Sequence, residues 1–181
     1  MLGGKYLTNY CKDFMVGAVA PSSRFVVKKI LKELNANALY IVEYGAGDGV
    51  ITKALLHKLP SSARLVAIET NNAFVEDLKK IKDDRLIIIH DDVVRVAENF
   101  TKLNLPRIDT IISGIPFSFF KPSVRNILIK NTVCGITPGG QFIVYQYSIF
   151  MYPILKKYFR EVKITFEPRN FLPYFIMRAI K

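Results

Sequence analysis

Val42-Glu43-Tyr44-Gly45-Ala46-Gly47-Asp48-Gly49-Val50 is the stretch whose reading decides the fold. Before it, Leu39-Tyr40-Ile41-Val42 is a short apolar run of strand-forming residues, and after it Val50 to Lys58 reads as a helix. Strand, glycine turn and helix in that order make the first crossover of a doubly wound α/β sheet. Glycines at 45, 47 and 49 mark a turn whose backbone angles side chains resist and whose main chain a ligand can touch. The spacing is G-x-G-x-G. A dinucleotide fingerprint wants a small residue at position 50, where Val50 stands, and this argues against NAD. It favours a cofactor without a pyrophosphate, of which S-adenosylmethionine (SAM) is the common one. The alternative is a glycine turn that binds nothing.

Support for a ligand comes about twenty residues on. Leu65-Val66-Ala67-Ile68 is a second strand of the buried type, and it ends at Glu69. An acidic residue at the tip of the second strand can accept both hydroxyls of a ribose.

The chain has 181 residues, half of them hydrophobic, which fits one folded domain and argues against disorder. No apolar run is long enough to span a bilayer. The first residues lack the pattern of a secretory signal. Cys11 and Cys134 stand alone, and the two histidines are far apart, so no metal site is expected. A reducing cytosol is the expected home. The formal charge of +11 predicts a polyanionic partner, either nucleic acid or an anionic membrane surface.

Along the chain, residues 1–15 are amphipathic if helical, with Leu2, Tyr6, Tyr10 and Phe14 on one face and Lys5 and Lys12 opposite. Such a helix either packs on a core or lies in a membrane interface. Residues 16–181 read as the domain proper. A serine, Ser22 or Ser23, can cap a helix running to about Leu34. Strands are expected at Leu86–His90, Ile108–Ser113 and Gln141–Tyr147, with a closing pair at Val162–Phe166 and Tyr174–Ile180. Helices are expected from Asn72, over Ser123–Val133 and near Ile149–Tyr158. Seven strands with alternating helices make an α/β, Rossmann-like sheet with helices on both faces. In that architecture ligands sit beyond the carboxyl ends of the strands.

The chain resembles the bacterial phosphatidylethanolamine N-methyltransferases, a family of class I SAM-dependent enzymes. The resemblance rests on Gly17-Ala18-Val19-Ala20-Pro21-Ser22-Ser23, the glycine turn, Ala67-Ile68-Glu69-Thr70-Asn71, His90-Asp91-Asp92, Ser113-Gly114-Ile115-Pro116-Phe117 and Pro138-Gly139-Gly140-Gln141-Phe142. It implies that residues 1–15 bind membrane. It implies a SAM site formed by Ser22, Ser23, Glu43, Gly45, Ala46, Gly47, Gly49, Glu69, Thr70, Asn71, Val93 and Ser113. Asp92 or Asp91 should meet the adenine amine; the family often has glycine where Asp91 stands. The runner-up resemblance is to the ribosomal-RNA adenine dimethyltransferases, whose glycine loop is similar. They carry an Asn where this chain has Ser113, and they usually have an extra C-terminal helical domain.

Methyl transfer to an amine is an in-line displacement, so positioning supplies much of the rate. The main chain of Ser113, Gly114 and Ile115 can hold the amine N–H groups, with Tyr10 and Phe117 beside them. Quaternary ammonium products sit well on aromatic faces. Tyr6, Tyr10, Phe117, Tyr145 and Tyr147 are expected there, and Arg169 is expected to meet a lipid phosphate. Water or a tyrosine can take the proton. The expected protein is a monomer at the inner face of the cell membrane, acting on a phospholipid, with nucleic acid as the second choice of partner.

Overall fold

The computed structural model describes residues 22–170 and 172–181. Ser23 begins the chain's first described helix, α1 (Arg24–Glu33), by accepting the Val26 N–H on its hydroxyl. β1 (Tyr40–Tyr44) then runs into the glycine turn and α2 (Val50–Lys58). β2 (Arg64–Glu69) is followed by α3 (Asn72–Lys79), whose first turn is capped by the Asn71 side chain. β3 (Leu86–His90) leads to α4 (Val93–Glu98), capped in the same way by Asp92. β4 (Thr110–Ser113) precedes α5 (Pro122–Gly135), which opens on a proline where a missing N–H costs nothing. β5 (Gln141–Gln146), α6 (Tyr152–Tyr158), β6 (Glu161–Glu167) and β7 (Tyr174–Ile180) complete the order.

The seven strands form one sheet in the order β3-β2-β1-β4-β5-β7-β6. β1 to β5 are parallel, and β7 runs antiparallel between β5 and β6. The strand order reverses between β1 and β4, which opens a crevice beyond their carboxyl ends. This is the α/β fold expected from the sequence. Boundaries move slightly: β4 starts at Thr110 and the helix after β5 starts at Tyr152. The membrane-binding helix expected over residues 1–15, with Tyr6 and Tyr10, lies outside the described residues. No helix among the described residues is long and apolar enough to cross a membrane, and none of their acidic, His or Cys side chains group to hold a metal.

Side chains alternate between two cores. Ile41 and Ile112 pack with α1 and α2, while Val42, Tyr44 and Ile111 pack with α4, α5 and α6. Central strands buried on both faces need near-continuous apolar sequence, as Ile111-Ile112 and Phe142-Ile143-Val144 provide. Phe142 anchors the second core. It meets Tyr44 and Phe117 edge-on and stacks on Phe159 at 6.0 Å. The Tyr44 hydroxyl, wholly buried, is satisfied by the Thr132 hydroxyl at 3.1 Å.

Phe142→Ala is therefore expected to lower unfolding free energy by about 3–5 kcal/mol, the range for an aromatic lost from a packed interior. Urea unfolding measures this as a shifted midpoint with an unchanged slope.

Candidate active site

The glycine turn is held from two sides. Gly45, Gly47 and Gly49 all have positive φ, in the region that favours glycine. The Gly45 and Ala46 N–H groups donate to the Ile68 carbonyl, binding the turn to the end of β2. A Cβ on Gly45 would lie 2.6 Å from Ile115, so the turn can pass beneath the β4–α5 connection only without a side chain. A Cβ on Gly47 would meet nothing within 4 Å, so its main chain borders open space. Gly49 differs: a Cβ there would sit 3.0 Å from Leu78, so it serves packing against α3.

Glu69 braces this turn. Its Oε2 accepts from Gly47 N–H at 2.9 Å, and its Oε1 accepts from the N–H groups of Thr70 and Asn71 at 2.7 and 2.8 Å. Oε2, with a single donor, keeps lone-pair capacity that a ribose hydroxyl can use, while Oε1 is taken by its two amides. Thr70 and Asn71 contribute amides to Glu69, and the Asn71 side chain is committed to capping α3.

Glu43 is wholly buried at the end of β1. Its Oε2 accepts from the Thr52 hydroxyl at 2.6 Å, while its Oε1 has no partner among the described residues. Burial pushes this carboxyl up to about 8, against the pull of Thr52 and helped by the charges of Glu69 and Asp48. Three carboxyls thus converge on the glycine turn of a chain whose formal charge is +11. The donor set fits SAM. Glu43 would take the cationic methionine end, Gly47 would leave room for it, and Glu69 would take the ribose.

On the far side of the turn, Asp92 is buried and accepts from Val94 N–H, and burial raises its pKa. Asp91 is more open and pairs with Arg95. Asp92 is thus the more buried of the two aspartates, and Val93 beside it packs in the core with Val42 and Tyr44.

The acceptor side lies over β4 and β5. Among the described residues the buried Ser113 hydroxyl has no partner, and neither has the Oε1 of Gln146. The Gln146 side chain donates from Nε2 to the Ile115 carbonyl at 2.7 Å and so fixes the Ser113–Phe117 connection. Gly114 lies against the Tyr145 ring, where a Cβ would come within 2.5 Å. Tyr145, Tyr147 and Tyr174 form one aromatic cluster, with the Tyr147 and Tyr174 centroids 4.4 Å apart. Ser22 lies half-buried just before α1. Ser23 is committed elsewhere: it caps α1 and donates its hydroxyl to the Arg169 carbonyl at 2.7 Å.

Two expectations are corrected. Phe117, expected to face the substrate, is wholly buried against Phe142 and Phe120, because the short 3-10 turn Phe117–Phe119 directs its ring into the core. Arg169, expected to meet a phosphate, is gripped by both oxygens of Glu167 at 2.7 and 2.9 Å and stacks over Phe25 at 4.3 Å. Sequence reasoning missed Thr52 and Tyr174, and it placed Gln146 only within the candidate stretch Tyr145 to Ser148, without a role of its own. Thr52 stood as a polar residue on the inward face of α2, which was the available signal. Tyr174 carries no such mark.

Comparison with known proteins places this geometry. A family model described as ribosomal RNA adenine dimethylase matches residues 21–116. The chain is 25% identical over 162 residues to an ornithine lipid N-methyltransferase of Singulisphaera acidiphila, covering 87% of this chain and 84% of that protein. It is 26% identical over 108 residues to a probable ribosomal RNA small subunit methyltransferase A of Methanospirillum hungatei, covering 57% of this chain and 38% of that protein. The solved N-methyltransferase NodS of Bradyrhizobium japonicum shares the fold at a TM-score of 0.71 and 14% identity, with 86% of this chain and 93% of that one covered. The family match includes β1 to β4 and ends at Pro116, so it spans the cofactor strands and runs into the Ser113–Phe117 connection.

Because folding raises the Glu43 pKa, the folded state prefers the carboxyl protonated. Its stability contribution is complete below about 4.5 and is lost as pH climbs towards about 8. Thermal or urea unfolding of the cofactor-free protein should show stability falling across that window by up to about 1.4 kcal/mol per pH unit. Glu43→Gln should flatten this slope, and an unchanged slope would remove the buried-carboxyl assignment.

Proposed function

The chain belongs to the ribosomal RNA adenine dimethylase family and is a SAM-dependent methyltransferase, and we propose that its methyl acceptor is the amine of a membrane-lipid headgroup. Phosphatidylethanolamine and its mono- and dimethyl derivatives are the acceptors this reading favours, with methylation proceeding towards phosphatidylcholine at the inner face of the membrane.

One observation carries the lipid reading. Five of the seven large apolar side chains exposed among the described residues, Phe119, Ile149, Phe150, Phe166 and Leu172, lie at the carboxyl end of the sheet. They sit on the connections that rim the crevice or beside them, and the Arg125 guanidinium over Phe150 at 4.8 Å joins two of these connections. An apolar rim with basic residues suits a mouth that opens onto lipid. Similarity to a lipid N-methyltransferase over most of both chains supports the same reading. So does Ser113, whose short hydroxyl supplies no side-chain amide to grip an adenine amine.

When bound, SAM supplies an electrophilic methyl group. The residues of this chain would do the rest. The Ser113, Gly114 and Ile115 carbonyls would accept the acceptor's N–H groups, with the Ile115 carbonyl held in place by Gln146. A headgroup amine, with a pKa near that of lysine at about 10.4, must shed a proton to expose its lone pair. Entry into a buried site favours that loss. The Tyr145 and Tyr174 hydroxyls are not the base: burial raises both above the ordinary phenol range, so they stay protonated and act as donors. As methyl groups accumulate, the cationic nitrogen would gain from the Tyr147 and Tyr174 rings.

RNA is the second reading, favoured by the family match and the charge of +11. One experiment separates them. Full-length protein is incubated with methyl-labelled SAM and, in separate arms, phosphatidylethanolamine liposomes, ornithine-lipid liposomes and ribosomal RNA. Thin-layer chromatography should show label in lipid. Label confined to RNA would overturn the lipid reading.

A further inference from the structure

The larger of the described cavities lies outside the crevice, in a groove of about 430 Å³ between α1 and the end of β6. We infer that this basic face of α1 is the surface by which the protein docks on an anionic phospholipid bilayer. The inference deepens the lipid reading above and rests on it.

The charges in the groove fall into two sets. Glu167, almost wholly buried, takes Arg169 in a two-pronged pair and Lys29 at 3.3 Å. These contacts hold its carboxyl down to about 2. Arg24, Lys28 and Lys32 have no acidic partner among the described residues. They stand four residues apart, so they form one stripe roughly 12 Å long on the outer face of α1. Within the helix this arrangement is unfavourable. Like charges at this spacing repel, and Arg24 sits in a first turn that contains no acidic residue, against the helix dipole. A sequence choice that opposes local stability in this way marks a surface with a partner. A stripe of this length matches a surface bearing many anions better than a single bound ion.

The surroundings favour a bilayer over a nucleic acid. Single-stranded nucleic acid needs open aromatic faces on which bases stack. The Phe25 ring in this groove is instead covered by the Arg24 and Arg169 guanidinia, 4.9 and 4.3 Å from its centroid. Leu172, in the β6–β7 connection close to Arg169, exposes its apolar side chain at the same end, and basic residues beside exposed apolar ones suit a membrane interface. Ser23 Oγ donates to the Arg169 carbonyl, which ties the start of α1 to the β6–β7 connection at the carboxyl end of the sheet.

The test is flotation of the full chain with phosphatidylcholine vesicles, with and without phosphatidylglycerol. Wild type should bind only the mixed vesicles, and added salt should weaken that binding. The triple variant Arg24→Gln/Lys28→Gln/Lys32→Gln should lose roughly a hundredfold in vesicle affinity. Its methyl transfer to detergent-dispersed lipid should stay at the wild-type rate. Arg24→Lys/Lys28→Arg/Lys32→Arg keeps the charge and should keep vesicle binding, which separates loss of charge from loss of fold. Undiminished vesicle binding by the triple Gln variant would overturn the inference. So would a wild type that ignores vesicles but binds ribosomal RNA through these residues. If flotation behaves as expected while no lipid is methylated, the docking face stands and the lipid-acceptor reading falls.

Discussion

Glu43 places a carboxyl where no water reaches, at the end of the central strand, with one oxygen bonded to Thr52 and the other to nothing among the described residues. An ion in such a place must be neutralised by a proton or by an opposite charge. The glycine turn follows directly in sequence, and Glu69 of the next strand braces it. A proton fills the role while the crevice lacks a cation. A ligand carrying an ammonium and a sulfonium is the natural replacement, and the convergence of Glu43, Asp48 and Glu69 inside a strongly basic chain selects for it. The order of the strands then decides the rest. Because β1 and β4 are neighbours at the reversal point, whatever the turn holds is presented to the Ser113–Phe117 connection.

The two halves of the sheet thus carry separate duties. β1 to β3 and their loops make the cofactor side, which the family match spans. β4, β5 and β7 make the acceptor side, where the unpaired Ser113 hydroxyl, the Gln146-held Ile115 carbonyl and the tyrosine cluster meet. A shared cofactor half is compatible with different acceptors, because acceptor choice lives on other loops. The exposed Phe119, Ile149, Phe150 and Leu172 at the carboxyl end of the sheet, and the basic stripe of α1, are the features on which the proposed lipid acceptor and docking face rest.

Much of the cofactor side was legible in the sequence because it depends on local chemistry. A glycine turn after a strand and an acid at the tip of the next strand follow from spacing, and both stand where that spacing puts them. The capping roles of Ser23, Asn71 and Asp92 are local in the same sense. Phe117 was misread because a short 3-10 turn after β4 decides which way its ring points, and three residues of sequence do not encode that. Arg169 was misread because its partner, Glu167, is defined by burial at the β6 edge. Gln146 reaches Ile115 only because β4 and β5 pair with Ser113 opposite Val144, and Tyr174 meets its ring partners only because β7 lies beside β5, and no local pattern predicts either register. The unpaired oxygen of Glu43 is likewise a property of packing rather than of motif.

The most direct test is calorimetric titration of the protein with SAM near pH 7 in buffers of different ionisation enthalpy. With Glu43 raised to about 8, most of the cofactor-free protein carries that proton, and binding of a cation should expel it. The account predicts release of close to one proton per SAM bound by wild type, and almost none by Glu43→Gln. Tight binding by wild type with no proton release, or undiminished release by the variant, would contradict it.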